Sequence, residues 1–191
     1  MMWMKNVAVA LALVALVGAV ARAEEEEDEK EVQWKSFTSA AGRFTAKFPG
    51  EVKVEEKPNA VHTHASPQGV DADFRIAYTD RAMGDANLEA AFKEIRRIRK
   101  KTCEAQGIEP VNELDFLAGD LPACQFEFTK EIGETKAFYR MRFILAGKRF
   151  YQVLYGYPTD KPMKAEGELF YKSFKITKGD DDAGEDAAPA R

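Results

Sequence analysis

The sequence predicts an α+β fold in which an antiparallel β-sheet is flanked by helices, and three observations predict it. First, residues 121–157 read as three consecutive strands, LPACQFEFTKE, KAFYRMRFILAG and KRFYQVLYGYP, parted by turns at Ile132–Thr135 and Ala146–Lys148. These runs are dense in Phe, Tyr, Val, Leu and Ile, which suit a pleated, half-buried surface. Second, apolar residues fall on both faces. In the middle strand Ala137, Tyr139, Met141, Phe143 and Leu145 alternate with Phe138, Arg140, Arg142 and Ile144. In the third, Tyr151, Val153, Tyr155 and Tyr157 oppose Phe150 and Leu154, so the sheet needs cover on both sides. Third, the apolar period lengthens to that of a helix over residues 87–106 and again after Pro158.

Taken in order, the chain opens as an export signal. Lys5 supplies a short positive region, Val7 to Val20 is uncharged and apolar, and Ala21-Arg22-Ala23 is a small-x-small cleavage site before Glu24. The apolar run is short for a membrane span, so residues 1–23 read as a cleaved secretory signal rather than an uncleaved anchor. Cleavage leaves 168 of the 191 residues, enough for one hydrophobic core. Acidic segments flank that core at 24–31 and 179–191; both are poor in aromatics and are expected to be disordered, solubilising ends. Between them residues 32–178 form the single expected domain, with 24 bases against 20 acids.

Trp34 and Phe37 begin the folded part, and Ser39 to Gly42 is a turn. Arg43 to Phe48 is a strand with Phe44, Ala46 and Phe48 on one face, closed by Pro49-Gly50. A meander continues through Val52–Glu56, Val61–Ser66 and Ala72–Thr79, the last with Phe74, Ile76 and Tyr78 on one face. The helix over 87–106 has Asp85 or Asn87 as cap and Gly107 as stop. Its expected buried stripe is Leu88, Ala91, Phe92, Ile95, Ile98, Thr102 and Cys103. Ile108 to Leu117 returns to strand, with Leu114 and Phe116 on one face. After Pro158, Thr159 or Asp160 is the expected cap of a last helix that carries Pro162 in its first turn. Met163, Phe170 and Phe174 share one side of it, and Phe174-Lys175-Ile176 closes the domain.

Three features carry candidate chemistry. Lys93, Arg96, Arg97, Lys100 and Lys101 line one side of the long helix; they are a solvated face or a docking surface for an acidic partner, the chain's own 24–31 segment included. His62 and His64, one residue apart on a strand, point to one face. Such a pair suits a metal ion with Asp71 or Asp73 as third ligand, or is simply two solvated histidines on an outer strand. Cys103 and Cys124 are an even pair in an exported chain. Cys103 continues the helix stripe and Cys124 shares a strand face with Phe126 and Phe128, so a disulfide between helix and sheet is expected; the competing reading is two separate buried thiols.

Three stretches give the chain a resemblance to a known family: GRFTAKFPG at 42–50, GDLPACQFEF at 119–128, and KRFYQVLYGYP with ELFYKSFKI near the end. Together they resemble the PsbP/Mog-like family, including its small exported bacterial domains. The resemblance covers Trp34 to about Ile176 and implies an α/β/α sandwich. It implies a binding or assembly module rather than a site, since these are turn and core motifs. The expected function is therefore a non-catalytic, periplasmic or secreted module acting on a cell-envelope or extracellular protein. No nucleic-acid partner, cofactor or membrane span after signal removal is expected. The alternative is a carrier of a small ligand or metal, through the His62/His64 face or a pocket under the aromatic strands; an enzyme comes second. GxSxG, P-loop, GxGxxG and HExxH motifs are all missing from the sequence.

Overall fold

A computed structural model of the chain describes residues 32–57, 60–65, 72–80 and 87–177. The expected signal segment with its Ala23–Glu24 junction, both acidic ends, Asp71 and Asp85 lie outside the described residues.

The three strands that dominate the sequence form as read: β7 (Leu121–Ile132), β8 (Thr135–Ala146) and β9 (Arg149–Pro158). Glycines in the left-handed region turn the chain between them, Gly133 at φ 60° and Gly147 at φ 56°. Before them in the chain come β1 (Trp34–Ser39), β2 (Phe44–Pro49), β3 (Lys53–Lys57), β4 (Ala60–Ala65), β5 (Asp73–Asp80) and β6 (Val111–Ala118), and β10 (Lys175–Ile176) comes last. Seven strands make one antiparallel sheet in the order β3-β4-β5-β9-β8-β7-β6. Strand β9 lies at its centre, where a run apolar on both faces belongs.

Each face of this sheet has its own core. On one side Phe126, Phe128, Tyr139, Met141, Phe143 and Phe150 pack with Ala91, Ile95, Ile98 and Cys103 of helix α1 (Leu88–Gln106). On the other, Phe74, Ile76, Tyr151, Val153 and Tyr155 pack with Phe44 and Phe48 of β2 and with Phe170 and Tyr171 of helix α2 (Lys164–Ser173). The sequence predicts helical cover on both sides, but on this second side the cover is only partly helical. A separate three-stranded sheet, β1-β2-β10, shares it with the short α2, because the alternation Phe44, Ala46, Phe48 gives β2 a wholly apolar face of its own. The meander expected from Arg43 onward is therefore broken: after Gly50, at φ 92°, the chain leaves one sheet and β3 joins the other.

The side-chain oxygen of Asn87 accepts the Ala90 N–H at 2.9 Å and starts α1. Gly107, at φ 62°, stops it, and the Ile108 N–H donates to the Cys103 carbonyl at 2.9 Å. The stripe narrows at its first turn: Leu88, expected to be buried, is 50% exposed, and burial begins at Ala91. Helix α2 begins later than its sequence signals, at Met163, with no side-chain cap. Thr159 is used elsewhere, its backbone N–H and hydroxyl both donating to the Lys136 carbonyl. No helix among the described residues is long and apolar enough to cross a membrane.

Candidate functional site

Helix α1 packs on β7 and β8, and its last residue, Gln106, reaches the part of the sheet face shared with β4, β5 and β9. A recess opens there. Its apolar lining is Ala77 of β5, Phe128 of β7, Tyr139 and Met141 of β8 and Leu154 of β9. Phe128 and Tyr139 stack with ring centroids 5.1 Å apart and form one wall. Its cavity volume is about 30 Å³, and the rest of the recess is open to solvent.

Polar groups converge on this floor from four strands and the helix: His62, Asp73, Arg75, Gln106, Lys130 and Gln152. Strand pairing explains the convergence. His62 lies opposite Ala77, Ala77 opposite Gln152, and Arg75 opposite Leu154, so alternate residues of β4, β5 and β9 meet on one face. Arg75 Nη2 donates to Asp73 Oδ2 at 2.9 Å. Burial holds the Asp73 carboxyl above its ordinary range, with Arg75 and His64 pulling it back down. His62 is buried, and its pKa is lowered to about 4 by burial first and then by Lys57 and Arg75; it is neutral at neutral pH. Two polar atoms of the lining are buried without a hydrogen-bond partner: the Arg75 Nε–H donor and the Gln106 Oε1 acceptor.

The histidine pair does share a face, as expected, but β4 is not an outer strand. Strand β3 flanks it, and His62 is buried while His64 is half-buried. Among the described residues no group of three or more His, Cys, Asp and Glu side chains converges as a metal site would require, and Asp71 lies outside them.

The basic helix face is largely neutralised by its own neighbours. Arg96 Nε donates to Asp115 Oδ2 at 2.5 Å, and Arg97 forms two bonds to the Glu94 carboxylate. Lys100 lies 3.9 Å from Glu104, one helical turn on. Lys93 and Lys101 make no ion pair among the described residues and are exposed. The sequence pattern shows five cations; it does not show that β6 brings Asp115 to the same helix.

Cys103 and Cys124 face the same layer between α1 and the sheet, as their spacing implied, yet both are free thiols. Facing one layer is necessary for a disulfide but does not bring the sulfurs to bonding distance. Burial pushes the Cys124 thiol up to about 12, against the opposing pull of Arg99, and also raises Cys103. Both are therefore unreactive thiols.

The sequence reading missed Arg75, Gln106, Lys130 and Gln152. A signal was there: Asp73 and Arg75 alternate with the buried Phe74 and Ile76, and Gln152 interrupts the apolar face of Phe150 and Leu154. Charged and amide groups on the inward face of inner strands mark a site that must be satisfied there.

No family model and no curated protein matches the chain. Among solved structures, a Bacteroides thetaiotaomicron protein is 17% identical with a TM-score of 0.48, over 75% of this chain and 48% of that one. A Pseudomonas aeruginosa protein of unknown function, described as a putative regulator, is 14% identical with a TM-score of 0.43, over 83% of this chain and 98% of that one. The chain thus spans about half the length of the first of these.

Proposed function

We propose that this chain is an exported, non-catalytic binding module of the cell envelope that holds a small molecule in the recess beside α1. One observation carries the reading: polar groups converge over an apolar floor, and two of them, Arg75 Nε and Gln106 Oε1, are buried without partners. An unpaired buried polar atom costs about 1–3 kcal/mol, and a ligand that pairs it recovers that cost. The groups suit holding more than bond chemistry, since Asp73 and Arg75 neutralise each other and His62 is a buried neutral base. The PsbP/Mog-like α/β/α sandwich belongs to the same proposal, supported by the motifs at 42–50 and 119–128 and by apolar cores on both faces of the sheet.

Assembly through protein contacts is the second reading. It is favoured by β6, an outer strand on which Val111, Leu114 and Leu117 are 51%, 55% and 49% exposed. Native mass spectrometry of the mature chain, purified gently from its host, separates the two. A bound non-polypeptide mass is expected, and it should be lost on Gln152→Trp, which fills the recess from the sheet. A bound polypeptide that survives this substitution carries the second reading instead, and a bare chain argues against both.

A further inference from the structure

The recess has a charge imbalance that specifies more than its size does. Among the described residues lining it, Arg75 and Lys130 are cations and Asp73 is the one carboxylate. His62 adds no charge, being neutral. Beyond the lining, Glu55 and Lys57 of β3 pair with each other at 3.7 Å and cancel. One positive charge is thus left over. The hydrogen-bond count agrees in sign. Asp73 occupies one edge of the Arg75 guanidinium through Nη2, and the buried Nε–H still needs an acceptor. The Gln106 side-chain oxygen is also buried without a partner, and a half-turn of its amide would offer N–H groups to an acceptor in its place. Beneath these groups lie Phe128, Met141 and Leu154, which offer nothing to a polar body.

We propose that the ligand of this recess is a small amphipathic monocarboxylate. Its carboxylate accepts from Arg75 Nε and Gln106 and neutralises Lys130, and its hydrocarbon body lies on Phe128, Met141 and Leu154. This rests on the recess being the binding site, as proposed above. A phosphate monoester fits less well, because its second negative charge exceeds the one left unbalanced.

Calorimetric titration of the full mature chain at neutral pH with octanoate, octanamide and octanol tests the inference. Octanoate is expected to bind at one site, at least about tenfold more tightly than octanamide or octanol, the worth of one charge-assisted contact. Lys130→Met should weaken octanoate by a similar factor and leave octanol unchanged. Octanamide or octanol binding as tightly as octanoate overturns the carboxylate while leaving the recess as the site, and so does octanoate binding unaltered in Lys130→Met. Octanoate binding unaltered in Gln152→Trp places the ligand elsewhere and overturns the recess itself. No heat from any of the three overturns the proposed ligand class.

Discussion

His62 shows at one residue how the site couples to the stability of the chain. It is buried on β4 and faces Glu55 and Lys57 from one side and Asp73 and Arg75 from the other, with His64 beside it. Burial, then Lys57 and Arg75, lowers its pKa from 6.5 to about 4, against the weaker opposing pull of Glu55. The folded chain then binds fewer protons at this site than the unfolded chain does. Its contribution is complete above pH 6.5 and is lost as the pH falls toward 4. The loss is at most about 3 kcal/mol for a shift of this size. Asp73, raised by burial, acts in the opposite sense on the acid side, so the comparison must be with a variant that keeps it. Denaturant unfolding of the wild type and His62→Gln across this range is the measurement. The stability of the wild type relative to the variant should fall as the solution is acidified. A difference that stays constant with pH would show that His62 is not held neutral.

At the scale of the element, α2 shows how a weak helix is seated. It has ten residues and no side-chain cap, so packing must hold it. Phe170 and Tyr171 are buried, and the Tyr171 hydroxyl donates to the Arg140 carbonyl at 2.7 Å. The Arg142 guanidinium lies 4.1 Å from the Tyr171 ring centroid, and Arg140 bridges Glu127 of β7 to Glu168 of the helix. Close approach is permitted by Gly167, where an added Cβ would lie 2.3 Å from Cε2 and Cζ of Tyr155. That ring is itself stacked on Phe74 and abutted by Tyr171, so it has little room to yield. Alanine here would gain about 1 kcal/mol of helix propensity. The overlap should outweigh it, and Gly167→Ala is expected to lose about 1–3 kcal/mol. Lys164→Ala, at the exposed start of the same helix, should change little. Thermal or denaturant unfolding reads both, and a gain in stability from Gly167→Ala would contradict the seating described.

For the whole molecule, export and thiol state meet in one measurement. The signal-like start proposes a mature chain beginning at Glu24, and the folded layers hold Cys103 and Cys124 as separate thiols, a state that the proposed export to a disulfide-permitting compartment would put to the test. Intact mass of the denatured, unreduced protein from its host, with and without alkylation, tests both. The expected species starts at Glu24 and takes up two alkyl groups. A mass that retains residues 1–23 rejects cleavage; one that takes up none rejects the free thiols. In the folded protein neither thiol should react, since both are buried and held protonated.

Much of the architecture was legible because it depends on neighbours in the chain. Alternation of period two placed Tyr139, Met141 and Phe143 against Ile144 and Arg142 correctly, and helical spacing placed Ile95, Ile98 and Cys103 on the buried side of α1. Asn87 and Gly107 bounded that helix because capping is a matter of a few adjacent residues. His62 and His64 fell on one face for the same reason. What local pattern does not carry is which element lies opposite which. The departure of β3 from the sheet of β2, the pairing of Arg96 with Asp115, and the place of β4 inside a sheet that runs on through β5 to β9 all depend on partners distant in sequence. So does the recess. Its polar groups come from five separate elements, brought together only when β5 pairs with β9 and the end of α1 lies over them. Sequence by itself determined most of the elements and most of their apolar faces, because side-chain direction follows backbone period. Tertiary structure alone decided the neutralised helix face, the free thiols and the binding recess, because electrostatics, bond distance and cavity shape are set by contacts between distant parts of the chain.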